Sequence, residues 1–144
     1  MDIAQVKDIM TDRVVTVPPD MPILQVADLI IENNFNGMPV VDAQKKLLGL
    51  VTEFNLLSKA SILKIPDAES AAKEYSRMKS LTAADCMETK PFTLLFDDTF
   101  ENALKLFSTH HRVNPVPVVD HSNTLVGVVS RYDLLKLLKL YGHS

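Results

Sequence analysis

A chain that states its pattern twice has to build two similar units, and that restricts its fold more than any single residue does. Residues 39–57 read PVVDAQKKLLGLVTEFNLL and residues 117–135 read PVVDHSNTLVGVVSRYDLL, identical at nine of nineteen positions at an offset of 78. Several differences are conservative: Thr52 against Ser130, Phe54 against Tyr132, Asn55 against Asp133. Upstream, the correspondence continues at an offset of 77 and pairs Asp8 with Asp85, Met10 with Met87, Thr16 with Thr93 and Asp20 with Asp97. The second copy has therefore gained one residue.

Each copy reads strand, helix, strand, turn, strand, helix. VVTV (14–17) and FTLLF (92–96) are β-branched and aromatic runs. Apolar residues then recur at helical spacing, as Ile23, Val26, Ala27 and Ile30 in one copy and Phe100, Ala103, Leu104 and Phe107 in the other. Asp20 ahead of Pro22, and Asp97 to Thr99 ahead of Phe100, are the expected helix-start residues. Short strands follow at Val40–Val41 and Leu47–Val51, and at Val118–Val119 and Leu125–Val129. The polar turns between them are short, so the joined strands should be antiparallel neighbours. A closing helix starts at Thr52 or Ser130. Three segments result: a first domain over 1–60, a helical connector over 61–80 with a break at Pro66–Asp67, and a second domain over 81–144.

With 144 residues, 47% of them hydrophobic, the chain can bury one core or two half-cores that support each other. A net charge of −3 and a pI near 5.7 argue against a nucleic-acid partner, which demands a basic surface. The start MDIAQVKDIM has no apolar leader region, and no run approaches the ~18 apolar residues of a membrane span, so a soluble cytoplasmic protein is expected. The single cysteine, Cys86, stands where Ile9 stands in the other copy and reads as a small apolar residue. His110, His111, His121 and His143 share no spacing with Cys or acidic residues, so no metal site is expected.

The order x-D-h-M (Lys7–Met10, Ala84–Met87), V-x-T-V, amphipathic helix, P-V-V-D and G-h-V-[ST]-x-x-[DN]-L-L resembles the cystathionine β-synthase (CBS) domain, here as a tandem pair. The resemblance covers about residues 3–60 and 80–140. It implies an α/β (α+β) fold of two β-α-β-β-α units packed about a pseudo-twofold axis. It also implies two clefts for adenosine-containing ligands such as AMP, ADP, ATP or S-adenosylmethionine. A stand-alone regulatory module is implied, not an enzyme, with no required cofactor and an effector protein yet to be identified. A homodimer is expected too, because such modules pair through exposed apolar helices. The alternative is a structural dimerisation module that binds no ligand.

Ser130-Arg131-Tyr132-Asp133 has the chemistry a nucleotide needs. The Asp133 carboxylate can accept from both ribose hydroxyls, and Ser130, the first-turn N–H groups and Arg131 suit phosphate. The same S-x-x-D pattern is also a capping box, and the two roles are compatible. The first copy has Thr52-Glu53-Phe54-Asn55, an amide for the carboxylate and a glutamate for the arginine. At ~6 Å and an effective dielectric of ~20, that glutamate would disfavour a phosphate by about 3 kcal/mol before screening. Each cleft in the family is assembled across the repeat. The main cleft is thus expected to combine Ser130, Arg131, Asp133 and Val128 with Met10, Val15, Phe35, Asn36 and Gly37. The weaker cleft is expected to combine Leu50, Thr52 and Asn55 with Met87, Phe92, Val113, Asn114 and Pro115. Gly49 and Gly127 read as structural residues between turn and strand.

Overall fold

A computed structural model describes residues 5–59, 67–110 and 114–142. In chain order the elements are α1 (Val6–Ile9), α2 (Ile23–Asn33), β1 (Gly37–Val41), β2 (Leu47–Thr52), α3 (Glu53–Lys59), α4 (Ala68–Met78), α5 (Ala83–Cys86), β3 (Leu94–Leu95), α6 (Phe100–Thr109), β4 (Val116–Val119), β5 (Leu125–Val129) and α7 (Arg131–Gly142). They form two compact units, each discontinuous in sequence. Unit I holds the described residues of 1–14, 44–47 and 91–144, and unit II holds those of 15–43 and 48–90.

In unit I, β3 pairs in parallel with β4 (Leu94 with Val118, Leu95 with Val119), and β4 pairs antiparallel with β5 (Val116 with Val129). Ala103 and Phe107 of α6 are buried on this sheet, beside Val116, Val118 and Val129, with Phe100 partly buried, whereas Leu104, expected on the same face, is exposed. The β4–β5 turn is set by Asp120, whose Oδ1 accepts from the N–H groups of Ser122 and Thr124 at 2.9 Å each, while Asn123 takes a positive φ of 64°. The segment 44–47 lies against this turn: Leu47 N donates to Asn123 O at 3.0 Å and Lys46 Nζ to Ser122 O at 2.7 Å.

In unit II, β1 and β2 form the sheet, and Ile23, Val26 and Ile30 of α2 cover it together with Leu56. Helix α2 stops where Asn34 turns left-handed at φ 54°, its N–H closing on the carbonyls of Ile30 and Ile31.

The short turns that open each copy are exchanged. Val6 and Ile9 of α1 are buried in the unit I core, and Ala83 and Cys86 of α5 in the unit II core. In both turns the Asp of x-D-h-M closes a cap, Asp8 accepting from Gln5 N at 2.9 Å and Asp85 from Thr82 N at 2.8 Å.

The leading strands are shorter than the sequence suggests. VVTV is reduced to a parallel bridge between Val17 and Val40, because Pro18 and Pro19 follow and cannot donate to a ladder. FTLLF shortens to β3. Strand β1, by contrast, begins three residues earlier than expected, at Gly37. Asp20 does not cap α2. The residue at the cap is Pro22, and Ile23 N donates to Leu81 O at 3.1 Å instead. Ahead of α6 the capping oxygen is Thr99 Oγ1, which accepts from Asn102 N at 3.3 Å. Asp98 holds Leu95 N at 2.8 Å, and Asp97 pairs with His121 Nε2 at 2.9 Å. Within the segment expected as the connector, α4 spans Ala68–Met78; Asp67 caps it through Ser70 N at 2.8 Å, and α4 buries no residue. Pro66 lies outside the described residues. No helix among the described residues is long and apolar enough to cross a membrane.

Candidate functional site

The G-h-V and x-D-h-M motifs meet within each unit. A Cβ on Gly127 would lie 2.7 Å from Met10 Sδ and 2.8 Å from Thr11 O, and a Cβ on Gly49 would lie 2.7 Å from Met87 Sδ and 2.6 Å from Glu88 O. Only glycine lets the methionine and the next backbone unit come so close. That approach puts the residue after the methionine on the strand edge. Thr11 exchanges both backbone hydrogen bonds with Val128 (2.8 and 2.9 Å), and Glu88 does the same with Leu50 (3.0 and 2.8 Å).

In unit I this brings Met10, Thr11, Val128, Ser130 and Asp133 together. Asp133 is buried, at 1% exposure, near the start of α7. The capping box is formed: Ser130 N donates to Asp133 Oδ2 at 2.9 Å, and Asp133 N to Ser130 Oγ at 3.1 Å. The carboxylate does more than cap. Thr11 Oγ1 donates to its Oδ1 at 3.0 Å and approaches Oδ2 at 3.3 Å, and Lys136 Nζ lies 2.8 Å from Oδ1. Neighbouring Arg131 is exposed, its backbone N–H donating to Asn114 Oδ1 at 3.1 Å. Asn114, expected with the weaker cleft, thus touches the Asp133 motif.

In unit II the same frame carries different chemistry. Asn55 Oδ1 accepts from Thr52 N at 3.0 Å and from Thr52 Oγ1 at 2.8 Å, and Asn55 N donates back to Thr52 Oγ1 at 3.1 Å. Glu53 is exposed, its N–H donating to Asn36 O at 3.1 Å. Gly37 runs close to Thr52, where a Cβ would sit 3.1 Å from Thr52 Cγ2. Leu50 is buried and Met87 half-buried.

Of the other candidates, Val15, Phe35, Asn36 and Gly37 belong to unit II, while Phe92, Asn114 and Pro115 belong to unit I. Phe92 stacks on His110 with ring centres 4.2 Å apart, and Pro115 is buried. Val113 lies outside the described residues. The sequence reading missed Thr11 and Lys136. Thr11 aligns with Glu88, so no repeated residue drew attention to it. Lys136 was legible as the i+3 partner of Asp133 on a helix.

Among the described residues no group of three His, Cys, Asp or Glu side chains is placed to hold a metal ion. The His121–Asp97 pair perturbs both members. Donating a hydrogen bond to Asp97 raises the His121 pKa above its ordinary value, and accepting it lowers that of Asp97.

The CBS domain family model matches residues 6–61 and 83–140. The chain is 29% identical over 136 residues to the CBS domain-containing protein CBSX1, chloroplastic, of Arabidopsis thaliana, covering 83% of this chain and 57% of that protein. It therefore spans little more than half of that relative. Among solved structures it resembles the CBS-pair protein CBSX2 of Arabidopsis thaliana at a TM-score of 0.83 and 24% identity, covering 99% of each chain. CBSX2 has also been solved in complex with AMP, at a TM-score of 0.79 and 24% identity over 96% of this chain and 98% of that one. The CBS domain pair of protein MJ0100, solved with 5′-methylthioadenosine and S-adenosylmethionine, matches at a TM-score of 0.74 and 25% identity over 96% of this chain and 98% of that one.

Proposed function

The chain belongs to the CBS domain family, and we propose that it is a regulatory module that senses an adenosine-containing ligand, with an adenine nucleotide (AMP, ADP or ATP) favoured. The observation that carries this reading is the Asp133 carboxylate, held in a buried frame beside the exposed Arg131. A carboxylate suits the two hydroxyls of a ribose, and a neighbouring guanidinium suits a phosphate. The ligands of CBSX2 (AMP) and of the MJ0100 domain pair (5′-methylthioadenosine and S-adenosylmethionine) support the adenosyl class.

In this reading Met10, Val128, Ser130, Arg131 and Asp133 of unit I hold the ligand. Leu50, Thr52, Asn55 and Met87 of unit II form a weaker counterpart. The ligand changes how a partner protein reads the module, by no more than its differential affinity for the two states. No reaction is assigned to it, and a cytoplasmic setting fits its mildly acidic charge.

Calorimetric titration with AMP and adenosine tests phosphate recognition. AMP should bind clearly more tightly than adenosine, and Arg131→Glu should erase the margin while sparing adenosine. Equal affinities in the parent protein would remove phosphate recognition.

A second reading, a dimerisation module, is favoured by one observation. Unit II carries an apolar groove of about 230 Å³ lined by residues including Ile23, Ala27, Ile30, Leu57 and Met78, with Ile31 on its rim at 75% exposure. An exposed apolar surface of this kind marks an interaction site, and we propose that a second copy of the chain covers it. Light scattering on the parent and on Ile31→Glu tests this: a parent dimer that dissociates in the variant supports it, and a monomeric parent rejects it.

A further inference from the structure

The protein's own donors already engage Asp133, and this has a consequence for binding. A carboxylate offers about four acceptor positions. Among the described residues three donors use them: Ser130 N at 2.9 Å, Lys136 Nζ at 2.8 Å and Thr11 Oγ1 at 3.0 Å. A ribose cis-diol brings two further donors, so one of the three has to leave.

Ser130 N is held by the first turn of α7 and cannot leave without breaking the cap. Lys136 balances the carboxylate charge. Thr11 is neutral and exposed, and its backbone is pinned to Val128 by two hydrogen bonds, so its hydroxyl withdraws by rotation about one side-chain bond. We propose that Thr11 is an internal stand-in for the ligand: its hydroxyl occupies the ribose acceptor in the free protein and sets the affinity by having to be displaced.

The other unit lacks the device. Glu88 takes the place of Thr11, its Oε1 accepts from Lys90 N at 3.0 Å, and Asn55 is only half-buried. The better acceptor of the two is thus the one that is guarded. The chain also passes from unit I to unit II just after this segment, between residues 14 and 15. Release of the Thr11 side chain therefore occurs three residues from that crossing, a position suited to reporting occupancy.

The inference rests on the ribose role proposed for Asp133, and the experiment separates the two. AMP is titrated calorimetrically into the parent, Thr11→Val, Thr11→Ser, Lys136→Met and Asp133→Asn proteins. Valine keeps the shape of threonine and removes the donor, so Thr11→Val should bind AMP roughly tenfold more tightly, since the competing hydrogen bond to a charged group is gone. Thr11→Ser restores the hydroxyl and should return affinity to the parent value. Thr11→Val should also melt at lower temperature without AMP and show a larger AMP-induced rise in Tm than the parent. A purely structural role for Thr11 would not tighten binding.

Parent binding with unchanged or weaker binding by Thr11→Val overturns the inference and leaves the ribose reading standing. Tighter binding by Lys136→Met alone overturns it as well, because the displaced donor is then the lysine. Asp133→Asn binding as tightly as the parent removes the ribose reading and the inference with it.

Discussion

Replacing Gly127 with alanine should destabilise unit I although no polar group is lost. In a strand interior alanine is ordinarily the better residue by ~0.5–1 kcal/mol, because glycine loses more backbone entropy on folding. Here the added Cβ would stand 2.7 Å from Met10 Sδ, 3.1 Å from Met10 Cγ and 2.8 Å from Thr11 O. The methionine can bend away, but Thr11 O belongs to backbone that is doubly hydrogen-bonded to Val128. Overpacking of this kind costs about 1–3 kcal/mol, enough to outweigh the entropic gain. For a chain of this size that is a fall in Tm of about 3–12 °C. Thermal and urea denaturation followed by circular dichroism would read it. Met10→Ala in the same background should recover only part of the loss, since it removes the sulfur contact and not the carbonyl one. A Gly127→Ala protein as stable as the parent, or more stable, would refute the close-approach argument and the explanation it offers for the paired motifs.

The double change Glu53→Arg, Asn55→Asp should raise nucleotide binding from one clear site per chain toward two in a calorimetric titration; two equally tight sites in the parent would show that these differences do not matter. His121→Gln should cost stability mainly between about pH 5 and 6 and little at pH 8. A raised His121 pKa stabilises the fold at pH values below its unfolded value and loses that contribution as pH rises through the folded one. The lowered Asp97 pKa contributes above its own unfolded value and fades only in stronger acid, so the pair acts in the window between. Equal effects of the substitution at pH 5.5 and pH 8, measured by urea denaturation, would contradict this.

What could be read from the sequence followed from its periodicity. The buried face of α2, the pair Ala103 and Phe107 of α6 and the extent of β5 are local patterns, and each is where the repeat indicates, although Leu104 on the same helical stripe is exposed. The leading strands were over-read because a β-branched run does not reveal how many ladder partners it has, and Pro18 and Pro19 leave Val17 a single bridge. Asp20 looked like a cap because the carbonyl of Leu81, which satisfies Ile23 N, is far away in sequence. The same limit applies to the site. Ser130 and Asp133 are three residues apart and read as a box, whereas Thr11 and Asp133 are separated by 122 residues. No local signal ties the aspartate to the threonine that covers it, or Met10 to the glycine that admits it. The exchange of α1 and α5 between the units is hidden for the same reason. Both copies of the turn share one motif, and a motif does not say on which core it packs.

Loss of ribose recognition on altering Asp133 tests the central claim most directly. The change should be read in two variants, because the buried carboxylate also caps α7 and holds Thr11, so Asp133→Ala will lose stability along with binding. Asp133→Asn reproduces the residue that unit II carries at Asn55 and should keep the fold. In calorimetric titration with AMP, the parent should show one clear site per chain, and both variants should bind about ten- to 150-fold more weakly, the value of a hydrogen bond to a charged group. AMP affinity equal to the parent's in a folded Asp133→Asn protein would contradict the account.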